Sequence, residues 1–279
     1  MSEFRRRLLY SKKKEALNYL CFTALEEGTF TFTYYASLTA NQATSVSYSI
    51  DGGTTWVTLN HTPGTAATFT TPTINTGETV LWRGTNKALG YRNNPGQTAQ
   101  FSSTGTFDVS GNVGSILYED KFNGKSVTEQ YGLPALFARC AIVNAKDLVL
   151  IPFTRTHTYS NMFYECTNLI TPPLLPFTSL TSFCYTGMYY NCTSLETAPV
   201  LPAETVPSYA YNQMFRYCSK LKYIKAMFLT DPAESTTAFQ NWVQGVAATG
   251  TFVKNAAAEW DVTGTGGIPS GWTVETANS

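Results

Sequence analysis

Residues 162–176 read MFYECTNLITPPLLP, residues 188–202 MYYNCTSLETAPVLP and residues 214–228 MFRYCSKLKYIKAMF. Laid over one another, they hold a Met, an aromatic residue, a Cys and a following Leu in register at a spacing of 26 residues. The cysteine file reaches back one unit, giving Cys140, Cys166, Cys192 and Cys218, each preceded at three residues by Phe137, Phe163, Tyr189 and Phe215. Three residues after the cysteines stand Val143, Leu169, Leu195 and Leu221; Tyr159, Tyr185 and Tyr211 form another file. A fixed period of about 20 to 29 residues with leucine at constant offsets marks a leucine-rich solenoid, whose coils bury their apolar positions against their neighbours.

Within each coil, residues 179–191 and 204–217 read as a helical or irregular arm and residues 169–175 and 195–201 as a strand arm, kept short by Pro172, Pro173 and Pro199. Stacking puts Cys140, Cys166, Cys192 and Cys218, with Leu169, Leu195 and Leu221, in the repeat core, equivalent residues about 4.8 Å apart. Zinc and iron–sulfur sites use close pairs such as C-x2-C, and a file of sulfurs does not gather around one point, so the cysteines read as core and not as metal ligands. Cys184 falls where the next unit has Ala210 and reads as a small packing residue. Beyond residue 229 the register decays. Trp242, Phe252, Trp260, Ile268 and Trp272 then supply a cap for the last coil.

Upstream, residues 29–38 (TFTFTYYASL), 45–50 (SVSYSI), 55–60 (TWVTLN), 67–74 (ATFTTPTI), 79–84 (TVLWRG) and 105–110 (GTFDVS) are short alternating runs separated by Gly, Asn, Asp and Pro. They predict a small antiparallel sandwich of immunoglobulin-like type. The fold class is therefore mainly β with an α/β solenoid: a β-sandwich over 21–112 and a leucine-rich-repeat domain over 113–279, with repeats at about 136–229 and a cap at 230–279. Ser49-Ile-Asp51-Gly-Gly53-Thr-Thr55-Trp56 matches the Asp-box spacing S-x-D-x-G-x-T-W familiar from sialidases. Its physics is a turn, in which Asp51 accepts backbone hydrogen bonds and Gly52 and Gly53 take positive φ. There is one copy, in a region too short for a propeller, so a structural hairpin is favoured over a glycan-active enzyme.

Charged residues make up 14% of the 279, below the usual level of about 25%, and the 19 basic and 19 acidic residues cancel. No stretch approaches the roughly 20 continuous apolar residues of a spanning helix. The balance is uneven along the chain. Arg5, Arg6, Arg7, Lys12, Lys13 and Lys14 against Glu3 give +5 over the first 14 residues and leave −5 for the rest. A lysine cluster follows directly on Leu8, Leu9 and Tyr10, which excludes a secretory signal. Residues 1–20 read as an anchoring arm for an acidic surface of a larger assembly; without a surrounding basic domain, nucleic acid is not the partner.

The units M-F-x-x-C-x-x-L with a following L-P, together with the tail GTFVKN…W…GIPSGWTV and the start MSEFRRRLL, resemble BspA-type leucine-rich-repeat proteins of Bacteroidales genomes and of their phages and prophages. The resemblance covers nearly the whole chain. It implies surface adhesion and host interaction, and for phage members a virion or fibre-like component; no catalytic residues come with it. His61 and His157 lack nucleophile or metal-ligand spacing and read as surface residues, and Glu26-Glu27 and Glu119-Asp120 as solvated charge. No nucleophile, base and orienting group assemble, and no cofactor motif is present. The expectation is thus a non-enzymatic virion protein of fibre or decoration type. Its arm would contact other virion proteins, its repeats would face a host glycan or protein, and self-association is left open. The alternative is a bacterial cell-surface adhesin.

Overall fold

Alternating burial builds the first half of the chain. The structure is a computed structural model that describes residues 18–36, 38, 43–62, 64–90 and 98–277. β1 (Leu20–Ala24), β2 (Phe30–Tyr34) and β8 (Phe107–Asn112) each bury every second residue, as strands with one face on a core must. β3 (Ala43–Ser49), β4 (Val57–Asn60) and β6 (Thr79–Asn86) join β1 and β8 in the antiparallel order β4-β3-β6-β1-β8. β5 (Ala67–Thr70) and β7 (Gln100–Ser103) flank β2 in a second antiparallel sheet. The sheets face each other across an aromatic layer: Phe22 meets Phe30 and Phe101 at ring-centroid distances of 5.2 and 4.8 Å, and Trp82 meets Phe101 at 4.8 Å. Two strands escape the sequence pattern. β1 precedes the run that opens at Gly28, and β7 carries one apolar residue, the buried Phe101.

The Asp-box segment is a turn tied by its own side chains. The Asp51 carboxylate accepts the Thr55 amide at 2.9 Å, the Thr55 hydroxyl at 2.6 Å and the Ser49 hydroxyl at 2.7 Å. Gly52 and Gly53 have φ of 70° and 89°, and the Trp56 indole N–H donates to the Gly53 carbonyl at 3.1 Å. Trp56 is covered by the Arg83 guanidinium, 4.1 Å from its ring centre. Glu119 and Asp120 are not simply solvated, since both pair with Arg83, at 3.5 and 2.8 Å.

The second sheet-forming principle is parallel stacking. β9 (Asp147–Val149) pairs in parallel with β8, so the first sheet continues into the repeats. Further parallel contacts follow at Asn144 with Thr171, Thr197 with Tyr223 and Leu201 with Ala226. The strand arm is thus mostly single bridges, consistent with its prolines. Successive coils are also bonded on the opposite side. The N–H groups of Tyr159, Asn161, Phe163 and Glu165 donate to the carbonyls of Cys184, Thr186, Met188 and Tyr190 of the next coil, 25 residues on, at 2.8–3.0 Å. The intervening N–H groups of Met162, Tyr164 and Cys166 turn back to Tyr159, Asn161 and Phe163 in their own coil.

Of the helical and irregular forms expected for the arm, that alternation selects the irregular one. Residues 183–191 and 209–217 are consecutive turns, and the only α-helix among the described residues is α1 (Ser115–Tyr118), with a 3-10 turn at Glu119–Lys121 after it. Every fourth residue of the arm has positive φ: Tyr131, Ala135 and Arg139, then His157, Asn161 and Glu165, then Phe183, Gly187 and Asn191, then Tyr209, Gln213 and Tyr217. A left-handed residue at that interval prevents a helix from propagating. The physical reason is spacing. Packed helices need 8–10 Å between axes, roughly twice the strand interval, whereas a chain of turns donates half its N–H groups sideways and stacks at the strand interval.

The core follows in files. Phe101, Phe137, Phe163, Tyr189 and Phe215 stack in sequence at 5.5–5.8 Å, and Tyr159, Tyr185 and Tyr211 at 6.2–6.3 Å. One continuous apolar cluster runs from Leu20 to Trp272. At its far end β10 (Tyr223–Ala226), β11 (Thr251–Lys254) and β12 (Thr273–Thr276) form a parallel sheet. Trp242, Trp260 and Trp272 are buried there, their indole N–H groups donating to the carbonyls of Gly267, Phe228 and Ala247. The final coil is two residues longer: Tyr211 N–H reaches Ala238, 27 residues on. No helix among the described residues is long and apolar enough to cross a membrane.

Candidate functional site: an aromatic-walled groove on the turn arm

The arm places side chains of equivalent positions directly over one another, and two such files stand at the surface. In the first, Tyr131, His157, Phe183 and Tyr209 stack with centroid distances of 4.5, 4.4 and 4.5 Å. All four are half-buried and occupy positive-φ seats. In the second, Tyr164 and Tyr190 stack at 4.7 Å and 11° between planes. The guanidinium of Arg139 lies 5.5 Å over Tyr164, and that of Arg216 lies 5.9 Å from Tyr190 and 4.7 Å from Tyr217. Cations over ring faces close the second file at both ends.

Between the files runs a groove of about 430 Å³ across three coils. His157, Phe183 and Tyr209 form one wall and Tyr164 and Tyr190 the other. The floor is Asn161, Thr186, Gly187, Asn212 and Gln213. Gly187 makes the central depression. With φ of 59°, it sits where a Cβ would come within 2.2 Å of Asn161 Oδ1, so a larger residue would displace the amide and raise the floor. Part of the polar floor is held by its own bonds: Thr186 donates to the Tyr209 carbonyl at 2.5 Å, Asn212 donates to Gln240 at 3.1 Å, and Gln213 accepts from Arg216 at 3.2 Å. Burial lowers the His157 pKa, which keeps its imidazole neutral at physiological pH, and the lining holds no aspartate, glutamate, lysine or arginine. The groove is therefore uncharged.

The repeat-core residues lie elsewhere. Cys140, Cys166, Cys192 and Cys218 are buried free thiols, and the side chains of Leu169, Leu195 and Leu221 are buried as well. Each thiol donates to a backbone carbonyl of an earlier coil or strand: Cys140 to Phe101, Cys166 to Phe137, Cys192 to Phe163 and Cys218 to Tyr189, at 2.9–3.1 Å. Burial pushes Cys166 and Cys218 up to about 12 and Cys140 and Cys192 well above the ordinary value, so all four remain protonated donors. Cys184 is buried as a packing residue in the arm. Arg5, Arg6, Arg7, Lys12, Lys13 and Lys14 lie outside the described residues. His61 is not at the surface but buried, 4.5 Å from the Tyr34 ring, whereas His157 stands half-buried in the first surface file.

The groove was not anticipated from sequence, although its signal was present. Tyr131, His157, Phe183 and Tyr209 keep the 26-residue interval, but in mixed residue types. Among the described residues no three His, Cys, Asp or Glu side chains gather to hold a metal ion. The chain matches no family model, no curated protein and no solved structure.

Proposed function

We propose that this chain is a non-enzymatic recognition protein of a bacteriophage virion, of fibre or decoration type: an immunoglobulin-like sandwich carrying a leucine-rich-repeat stack of the BspA kind. The observation that carries the recognition role is the uncharged groove between two ordered aromatic files. Stacked rings are rigid, amphipathic contact surface that loses little entropy on binding. The coil stack presents them in a fixed array, as repeat architectures present extended binding surfaces. The +5 arm supports attachment to an acidic neighbour in a particle, and the sequence resemblance supports the virion setting.

Two experiments test this reading. Deletion of residues 1–17, which stops short of β1 and its buried Leu20, is expected to abolish incorporation into particles while the remainder folds, as circular dichroism would report; normal incorporation overturns the anchoring role. Fractionation of uninfected cells decides the setting. Protein on the surface of such cells would replace the virion with a bacterial adhesin.

A further inference from the structure

We propose that the groove binds a neutral oligosaccharide, laid along the coil axis over Gly187 between the two aromatic files. This rests on the recognition role proposed above and names its ligand class.

Charge makes the first selection. Phosphate, sulfate and carboxylate ligands are bound by cations or by clustered N–H donors. The lining holds a neutral imidazole and no arginine or lysine; Arg216 stands outside it, its guanidinium turned to Gln213 and the Tyr217 hydroxyl at 3.2 and 2.9 Å. An anionic glycan or nucleic acid would find no counter-charge on the floor.

Backbone geometry makes the second selection. An extended peptide gains affinity by adding to a sheet edge with free N–H and C=O groups. Here the arm's N–H groups alternate between the next coil and their own turn, and the carbonyls of Cys184, Thr186, Met188 and Tyr190 accept from the preceding coil. The groove has no free edge for strand addition.

What remains is a ligand with hydroxyls for side-chain amides and phenols, and C–H groups to pack along the ring edges that the two stacked files turn to the groove. Asn161, Asn212 and Gln213 carry amides on the floor, and Tyr164, Tyr190 and Tyr209 bring phenol rings to the walls. An amide offers a donor and an acceptor side by side, which matches neighbouring hydroxyls on a sugar ring. The volume of about 430 Å³ is within the range of small-ligand sites. The first wall spans about 9 Å from His157 to Tyr209, so the ligand is a short stretch of chain and not a single ring. One such site is weak; many copies on a particle would raise its effective affinity.

The test uses the full chain displayed in many copies on beads. The probes are an array of neutral hexose and N-acetylhexosamine oligomers, the sulfated and sialylated oligomers of the same lengths, and a peptide array. Binding to one or more neutral oligomers is expected, weakened at least tenfold by Phe183→Ala and by Tyr190→Ala. Leu174→Ala, on an exposed site outside the groove, should leave it unchanged. Melting curves of the two groove variants accompany the assay. Because truncation of a stacked ring could loosen the arm, Gly187→Asn supplies a second variant; asparagine tolerates positive φ and fills the floor, so it should abolish binding while both ring files remain. Binding confined to anionic oligomers or to peptides overturns the proposal, as does neutral-oligomer binding that all three variants retain. Loss of array binding with intact particle incorporation and host adsorption would remove the ligand class and leave the virion role standing. Array binding by a protein absent from particles would do the reverse.

Discussion

The Cys192 thiol donates to the Phe163 carbonyl oxygen of the preceding coil at 3.1 Å, and the same oxygen accepts the Cys166 amide at 3.1 Å. One carbonyl thus closes a turn within its coil and ties that coil to the next. Cysteine suits the position because it is small, apolar and still a donor. Cys192→Ala removes the tie but leaves the carbonyl its backbone partner. It should cost about 1–2 kcal/mol, from a weak hydrogen bond and a small void. Cys166→Ala with Cys192→Ala should depart from additivity, because adjacent rungs share neighbours. Urea unfolding of the two single variants and the double variant measures both quantities; a cost near zero for Cys192→Ala would reduce the thiol to filler.

The buried thiols also contribute to the alkaline limit, beside Tyr159, Tyr185, Tyr189 and Tyr211, whose phenols burial raises as well. Burial raises Cys166, Cys184 and Cys218 from 9.0 to about 12, and Cys140 and Cys192 further. Between about pH 9 and pH 12 the unfolded chain releases these protons while the folded chain keeps them. Because the unfolded state then binds fewer protons, stability is intact below pH 9 and falls as pH rises, by up to about 1.4 kcal/mol per pH unit for each thiol. Urea unfolding at intervals from pH 7 to pH 11 should show a plateau and then a steep decline, shallower by about one proton in Cys184→Ala. Stability unchanged up to pH 11 would contradict the burial of the file.

Asn191 separates a turn arm from a helical one. Its φ of 56° lies in the left-handed region, and its N–H donates to the Arg216 carbonyl of the next coil at 2.8 Å. Asn191→Ala should cost about 1 kcal/mol, since alanine resists that region, while Asn191→Gly should be neutral or slightly stabilising. In a helix the order would be inverted, with alanine the better residue by about 1 kcal/mol. Thermal or urea unfolding of the two variants reads the sign directly.

The register of the coils was legible because a 26-residue interval survives whatever conformation the intervening chain adopts, and Cys140, Cys166, Cys192 and Cys218 mark it with one residue type. The Asp-box turn was legible because its bonds, from Ser49 to Trp56, are local. The conformation of the arm was not. Its positive-φ seats hold Tyr, His, Phe, Ala, Arg and Glu as readily as Asn or Gly, so local preference points elsewhere and the coil-to-coil hydrogen bonds impose the shape. Asn161, Gly187 and Asn191 are the trace it left in the sequence. The groove depended on that arm and was hidden with it.

Acid tests the hairpin independently. Hydrogen bonds from the Thr55 side chain and amide and from the Ser49 hydroxyl hold the Asp51 carboxyl down at about 2, from an ordinary 3.8. A depressed folded value means the stabilisation is complete above about pH 4 and disappears as pH falls through 2. Asp51→Ala should lower the melting temperature at pH 7 and remove this part of the acid sensitivity between pH 4 and pH 2. An equal acid response in the variant and the parent would mean that the carboxylate does not hold the turn.

Phe137 joins the two halves of the molecule. Its ring stacks on Phe101 of β7 at 5.8 Å and 18°, and on Phe163 of the next coil at 5.5 Å and 27°. It is fully buried, and its N–H is bonded forward to Met162 at 3.0 Å. Truncation to alanine would interrupt the one aromatic file that passes from the sheets into the coils. The loss should be about 3–5 kcal/mol, the range for an aromatic residue removed from a close-packed core. Because the cluster from Leu20 to Trp272 is continuous, the parent chain should unfold in one calorimetric transition. Phe137→Ala should split it, the sheets and coils then melting separately. A single transition displaced to lower temperature would show that the parallel pairing of β8 with β9 suffices to couple them without the ring.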